Sequence, residues 1–251
     1  EIKVECKVVT TEDGHTENDL SVYFKHPNFH MAGWIATHIA IKHVYNLLYK
    51  KLKVFVPENR QEILDIAKAV TSCGEYLHHH HDHEEELVWD WLKEKKPESK
   101  EFLGTMDHQH GDWVQKNKEI SDLITSIKEN ENLKDSTSEG WSETLEKLQS
   151  NIKNQIALIY EHFYDEERLI LPIAINIPKA DQIKIGDIIH ERIKKESSGK
   201  FGLGAMLDAS NHNKAMADSL NKAIPWFVRK VIFPLAIKKD YKWFTSVVEI
   251  K

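Results

Sequence analysis

The apolar residues of this chain recur at two different spacings, one in its first ten residues and another through most of its length. Residues 1–10 alternate apolar and polar side chains, which is the periodicity of a β-strand. From about residue 30 to residue 173, apolar side chains recur at steps of three and four, which predicts helices. This region is divided into four long segments by breakers at 56–59, 95–99 and 129–140. Four such helices predict an all-α, up-down four-helix bundle.

The bundle is expected to span residues 30–175, between a strand and loop segment at 1–29 and a C-terminal helical extension at 176–251. The extension is expected to pack on the bundle. Its last residues, WFTSVVEI at 243–250, predict a strand that pairs with residues 2–9 as a small terminal strand pair.

Helical spacing also recurs inside the extension. Residues 181–196 predict one helix, and residues 208–223 predict another that is capped by Asp208 or Ser210. The intervening SSGKFGLG, at 197–204, predicts a flexible break because serine and glycine favour turns.

Each predicted bundle helix carries an apolar stripe that is interrupted by histidine, or by histidine and glutamate. In chain order the interruptions are His38, then His80 with Glu84, then His110, then His162 with Glu166. A single histidine on such a stripe is more often a hydrogen-bonded core residue than a metal ligand. Burying all six groups without a cation would cost several kcal/mol for each unpaired charge. The shared pattern therefore predicts one metal centre between the helices.

Two of the helices contain the same motif. Aligning residues 80–89 with residues 162–171 matches H-x-x-x-E-E-x-L in both. Residues i and i+4 project from one helical face, so each copy presents a nitrogen and an oxygen to the same metal pair.

The histidine run at 78–83 offers a second register, in which His81 pairs with Glu85. The face of that register runs through Gly74, His78 and Leu92, whereas the face of His80 runs through a more apolar set: Val70, Cys73, Leu77, Leu87 and Trp91. The apolar neighbours favour His80 with Glu84, and the remaining histidines of the run are interpreted as supporting or surface residues. The same test favours His38 over His43, and His110 over His108.

Glu85 and Glu167 each come one residue after a predicted ligand. Both are interpreted as solvent-facing acids, with support of a ligand or direct ligation as the alternative. Trp34, Ile41, Trp113 and Ile159 are expected to form an apolar wall that limits proton access to the centre.

In the order and spacing of these histidines and glutamates, the chain resembles the hemerythrin-like, or HHE cation-binding, family, in particular its stand-alone fungal and bacterial members. The resemblance covers about residues 30–175 and is closest in HFYDEERLILP at 162–172. It implies a four-helix bundle with two non-haem iron ions, oxo- or hydroxo-bridged when oxidised, although manganese or zinc would suit the same donors. The ligands it implies are His38, His80, Glu84, His110, His162 and Glu166. Glu84 and Glu166 are assigned as bridges, because di-iron bundles place carboxylates between the metals.

The sequence departs from oxygen-carrying hemerythrins in two places. Those proteins have a second histidine on the third helix, four residues from the first, where this chain has Met106 and Val114 around His110. They also end their motif in aspartate, where this chain has Glu166. The departures favour members with an additional open coordination position over simple carriers.

The predicted function is binding of dioxygen, iron or both, in oxygen binding, oxygen sensing or iron handling. The alternative is an oxygen-activating di-iron oxidase or oxygenase that acts on a small organic substrate. A regulatory module is a third hypothesis, disfavoured because the chain shows no partner domain.

Composition bears on the partners, the cysteine chemistry and the location of the protein. A net charge of −6 gives no electrostatic argument for nucleic acid as a partner. Cys6 and Cys73 are far apart and belong to no CxxC motif, so neither a disulfide framework nor a thiolate zinc site is expected. No apolar run approaches a membrane span, and the basic, apolar stretch at 225–244, which loosely resembles the family's tail, is expected on the bundle rather than on a membrane. A cytoplasmic location is expected, and the oligomeric state stays open.

Overall fold

The structure is a computed structural model, and it describes residues 2–223 and 241–250. The strands are β1 (Val8–Thr10) and β2 (Thr16–Asn18). The helices are α1 (Ser21–Lys25), α2 (Ala32–Lys53), α3 (Arg60–His83), α4 (Trp89–Lys95), α5 (Lys100–Glu129), α6 (Trp141–Ala174), α7 (Lys179–Ile193), α8 (Gly199–Ser210), α9 (Lys214–Ala223) and α10 (Lys242–Val248). A π-helical turn, Glu84–Val88, joins α3 to α4, and a 3-10 turn, Pro97–Ser99, precedes α5.

The four long helical segments predicted from the sequence are confirmed, and they form the bundle. Helices α2, α3, α5 and α6 pack in a closed ring, in which each contacts the next and α6 returns to α2. Their apolar side chains form two buried clusters. One cluster contains Ile41, Leu77, Trp113 and Ile159, and the other contains Ile35, Val88, Met106 and Ile170. The predicted ligands form a polar layer between these clusters, because in each of the four segments one residue of each cluster lies on either side of the one or two predicted ligands.

The N-terminal segment is a short hairpin rather than a long strand. β1 pairs antiparallel with β2, with Val8 opposite Asn18 and Thr10 opposite Thr16. Gly14 lies in the connecting turn at a φ of 84°, a conformation that glycine adopts without steric cost. The hairpin packs against α6, which brings Asn18 into the buried interior of the protein.

The predicted terminal strand pair is wrong. Residues 242–248 form helix α10, which packs on α3 and α2. Phe244 and Val248 are four residues apart and both are buried, so this segment buries one helical face. The apolar residues of this short run fit the spacing of a strand as well as that of a helix. Packing against the bundle favours the helix. The stretch at 225–240, for which packing on the bundle was expected, lies outside the described residues.

The predicted flexible break at 197–204 is also wrong, because its glycines are part of helix α8. A Cβ atom on Gly202 would lie 2.5 Å from the Tyr76 ring, and one on Gly204 would lie 2.4 Å from Tyr241. These glycines therefore allow α8 to approach two aromatic rings closely, so they serve packing rather than flexibility.

The predicted helices of the extension are otherwise present, with shifted limits. Helix α7 falls within the predicted 181–196 apart from its first two residues. The second predicted helix is divided, because α8 ends at Ser210 and α9 begins at Lys214. The cap is neither Asp208 nor Ser210: the side chain of Asn213 accepts a hydrogen bond of 3.0 Å from the backbone N–H of Met216. Within the described ranges, no helix combines the length and the apolar character that crossing a membrane requires.

The close approach at Gly202 predicts a stability effect. Changing Gly202 to alanine is expected to lower the free energy of unfolding by about 1–3 kcal/mol, because the buried Tyr76 ring must move. Changing Gly186, in α7, to alanine is the matched control, since nothing lies within 4 Å of its added Cβ. The control is expected to gain about 0.5–1 kcal/mol. Urea denaturation of both variants measures the difference, and equal effects would contradict the packing role.

Candidate metal centre

The polar layer of the bundle contains two groups of side chains that can each hold a cation. The first group is His38, His80, Glu84 and Glu166, and the second is His81, Glu84, His110 and His162. In each group, one ligand atom from every residue lies within 4.8 Å of the others, and all the residues are buried. The structure therefore brings together all six residues predicted from the sequence, and it adds His81.

Glu84 belongs to both groups. Its Oε1 atom lies 2.9 Å from Nε2 of His80 and 3.6 Å from Nε2 of His38, while its Oε2 atom lies 3.7 Å from Nε2 of His110. One carboxylate thus faces imidazoles of both groups, which is the position of a bridge. Glu166 lies between them as well, because its Oε2 atom is 3.5 Å from Nε2 of both His38 and His162.

His81 is the member of the centre that sequence reasoning set aside. Only 4% of it is exposed, its ring stacks on His110 with centroids 4.3 Å apart, and the ring of His162 lies 5.1 Å away. The comparison of the two motif copies argued against it, because the residue aligned with His81 is Phe163. Phe163 instead packs flat against the ring of His38 at 4.0 Å. The sequence signal that could have identified His81 is its position directly after His80 in the histidine run.

The π-helical turn at 84–88 explains why neither register fits the whole segment. A π turn adds a residue to the helix, so the residues after it rotate relative to those before it. Before the turn, the buried face includes Leu77 and His80, as the predicted stripe does. From the end of the turn onward, the buried residues are Val88, Trp89 and Leu92, whereas the predicted Leu87 and Trp91 are only partly buried.

Glu167 positions His38. Its Oε1 atom lies 3.0 Å from Nδ1 of His38, and its Oε2 atom accepts a hydrogen bond of 3.1 Å from the Asn18 side chain. Burial opposes ionisation of Glu167, but Lys42 and His38 together hold the pKa of this carboxyl below its ordinary value. Since an ionised carboxylate only accepts, Nδ1 of His38 carries a proton, and Nε2 is the nitrogen that faces the centre. The interpretation of Glu167 as a solvent-facing acid is therefore wrong.

Three further contacts orient residues of the centre. Glu85 is half-exposed, yet its Oε1 atom lies 2.6 Å from Nδ1 of His110. Gln109 accepts from Nδ1 of His162 at 3.0 Å. The indole N–H of Trp34 donates to Oε1 of Glu84 at 2.7 Å, so Trp34 orients a predicted ligand directly. Such outer contacts fix which ring nitrogen is free to bind a metal.

The unpaired atoms of this layer fit a bound cation. Buried nitrogen and oxygen atoms without a hydrogen-bond partner include Nε2 of His38, both ring nitrogens of His81, Oε2 of Glu84 and both oxygens of Glu166. Leaving such atoms unpaired costs roughly 1–3 kcal/mol each. The Nε2 atoms of His110 and His162 lie 3.1 Å apart. Two nitrogens that bind one metal at about 2.0–2.1 Å have a similar separation.

The protonation states of three of the histidines agree with this donor set. Burial lowers the pKa of His80 to about 4, and it lowers the pKa of His81 and of His162 well below the ordinary value. These rings are therefore neutral near pH 7, the form that binds metal. Burial, together with the charge of Glu84, raises the pKa of Glu166 well above its usual range. A cation between the two carboxylates would remove the reason for that increase.

A small cavity opens beside the second group. It has a volume of about 50 Å³ and is lined by His81, His162, Trp113, Ile159 and four neighbouring residues. A water molecule occupies about 30 Å³ in the liquid, so this cavity admits only a very small molecule.

Other histidines of the run attach the extension to the bundle. Nε2 of His83 lies 2.8 Å from Oε1 of Glu196, and Nδ1 of His79 lies 2.5 Å from the hydroxyl of Ser198.

Two histidines on other bundle helices, which the sequence did not favour as ligands, lie outside both groups. The His108 side chain is 79% exposed, and His43 contacts α8.

The bundle helices match a known cation-binding family. A family model described as the Hemerythrin HHE cation binding domain matches residues 32–174. A protein of Dictyostelium discoideum that carries the name "uncharacterized protein" is 44% identical over 256 residues, and the match covers 100% of both chains. No solved structure matches the chain. The family match spans the four bundle helices and every residue of the two groups.

Proposed function

Because the chain belongs to the hemerythrin HHE cation-binding family, we propose that it is a non-haem di-iron protein that binds dioxygen reversibly. The observation that carries this proposal is the sharing of Glu84 between two buried groups of four potential ligands. Glutamates that project into the bundle core between two metal ions are characteristic of di-iron carboxylate bundles. The proposed ligands are His38, His80, His81, Glu84, His110, His162 and Glu166.

The donor chemistry is compatible with iron, and the choice of iron among the metals that suit these donors rests on the resemblance to di-iron members of the family. Imidazole and carboxylate donors together suit iron, manganese and zinc, and the absence of thiolate from the two groups disfavours the softer metals. When bound, a pair of ferrous ions supplies the electrons that dioxygen accepts on binding. The surrounding residues hold the donors ready: Glu167 and Gln109 keep protons on the outer nitrogens of His38 and His162, so the inner nitrogens stay free.

The apolar and aromatic residues around the centre support binding over turnover. Phe163 covers the face of His38, and Trp113 lies edge-on to His81 with centroids 4.6 Å apart. These rings exclude bulk water and limit the protons that could reach bound oxygen.

The size of the cavity argues against an organic substrate. Sites for organic ligands usually enclose about 300–1,000 Å³. The cavity that reaches His81 and His162 has only about 50 Å³, which suits a diatomic molecule. An oxygenase acting on an organic substrate would need a larger opening beside these ligands.

Loading the full chain with ferrous iron under argon tests the proposal. We expect about two iron ions per chain after removal of free metal. Mixing with air should produce a visible absorption band that disappears when argon replaces air and returns over repeated cycles. Manganese-loaded protein, treated in the same way, is the control for colour that is independent of dioxygen binding to iron.

Two results would contradict the proposal. Fewer than about one iron ion per chain would exclude the paired centre. A band that decays irreversibly to oxidised iron within one exposure, faster when a reducing organic compound is added, would instead support the oxidase alternative.

A further inference from the structure

A second cluster of metal-ligating side chains lies where the extension meets the bundle. His43 comes from α2, Asp208 from α8, and His212 from the turn after α8. One ligand atom from each residue lies within 4.8 Å of the other two. The cluster shares no residue with the centre inside the bundle.

Two of the three side chains already contact each other. Nε2 of His43 lies 2.9 Å from Oδ2 of Asp208. The ring of His212 lies beside that of His43, with centroids 5.3 Å apart. His212 comes four residues after Asp208, and its backbone N–H continues the helical turn by donating to the carbonyl of Ala209 at 3.0 Å. Residues at this spacing face the same side of a helix end.

We propose that His43, Asp208 and His212 form a second, mononuclear site for a divalent transition-metal ion of the zinc type. Two imidazoles and one carboxylate are a common donor set for zinc, with the fourth position left to water or another small ligand. Zinc binds nitrogen at about 2.0–2.1 Å, so its ligand atoms lie roughly 3.3 Å apart. The exposed side chain of His212 is free to make the small movement that this distance requires.

The surroundings of Asp208 support this assignment. The hydroxyl of Tyr241 donates to Oδ2 of Asp208 at 2.8 Å, which fixes the carboxylate in place. Metal-binding carboxylates usually accept such an outer hydrogen bond. The Asp208 side chain is 28% exposed and that of His43 is 16% exposed, so an ion could reach both from solvent.

A cleft supplies the open side of the site. It has a volume of about 310 Å³, and its lining includes His43 and His212 together with Glu17, Asn46 and Tyr160. A water molecule or a small anion could therefore complete the coordination without moving the backbone.

Binding at this site would join the extension to the bundle. One ligand comes from bundle helix α2, and the other two come from the extension. A metal that binds only the folded arrangement stabilises it in proportion to the logarithm of its concentration over Kd. The predicted role is therefore a clamp that holds α8 against α2.

The test uses the full chain with its bundle centre already filled with iron. Zinc is then titrated in competition with a chromophoric chelator. We expect one further zinc ion per chain and a rise in Tm with zinc. Changing His212 to alanine should weaken this binding by more than about tenfold, since loss of even an outer partner of a metal ligand costs about 10–100-fold.

His108 provides the matched control. It lies four residues before Asp112 on exposed helix surface, with Nδ1 3.6 Å from Oδ2, and the described residues bring no third ligand to this pair. His108→Ala should therefore bind zinc like the wild type. The proposal is overturned if the wild type takes up no additional zinc, or if His212→Ala binds it unchanged. Equal urea unfolding of His212→Ala and wild type without added zinc would show that the variant folds normally.

Discussion

Replacing Glu84 with alanine is expected to abolish paired metal binding, because this carboxylate serves both groups of ligands. Its two oxygens face imidazoles on opposite sides of the polar layer, so the substitution removes a donor from each metal position. We expect the iron content of the loaded, dialysed protein to fall from about two ions per chain to below about one. The oxygen-dependent absorption band should disappear with it. Metal analysis and the visible spectrum under air measure both effects.

A neighbouring glutamate gives the control for this substitution. Glu86 lies two residues further along, but its carboxylate faces solvent and pairs with Arg192 at 2.9 Å. Glu86→Ala should keep its iron. Glu84→Gln guards against misfolding, because it preserves the size of the side chain and its contact with Trp34 while removing the charge. Normal iron content in the glutamine variant would show that Glu84 does not bridge the two positions.

Replacing His81 with phenylalanine is expected to remove one metal ion and leave the other. His81 belongs only to the group with His110 and His162, whereas the group around His38 does not use it. Phenylalanine is the residue found at the aligned position, Phe163, so its ring is compatible with this part of a bundle helix. We expect about one iron ion per chain. Metal analysis together with calorimetric titration would show whether one of the two binding events is lost.

His78 is the control on the same helix. Its side chain is 53% exposed and lies 3.5 Å from Asp82, outside both groups. His78→Phe should bind two ions like the wild type. If His81→Phe also retains both ions with unchanged affinity, then His81 is the bystander that the sequence comparison indicated, and the bundle binds its metals through four histidines.

Much of the bundle could be predicted because its signal is local. Apolar residues at steps of three and four report burial directly, and the four long segments appear where that spacing predicts them. The same spacing identified His38 and His110, which are buried. The predicted buried face of this segment is wrong only after Glu84. The residue that a π turn adds cannot be recognised from the spacing of the apolar residues.

The contacts that orient the ligands could not be predicted, because they join distant parts of the chain. Glu167 contacts His38, which is 129 residues away, and Asn18, which is 149 residues away. A single sequence contains no measure of that proximity. The helical state of the glycine-rich segment was missed for a related reason: the aromatic residues that Gly202 and Gly204 approach, Tyr76 and Tyr241, are distant in the sequence.

The difference between His81 and Phe163 makes the two groups of potential ligands chemically unequal. The group around His38 contains two imidazoles, whereas the group around His110 contains three. Affinity and selectivity for a metal depend on the type of its ligands. Two cations held in these groups would therefore be bound with different affinities, and the groups would fill one after the other as the metal concentration rises. In a bundle built from two similar halves, one side-chain difference would be sufficient to set the order in which the groups take up metal.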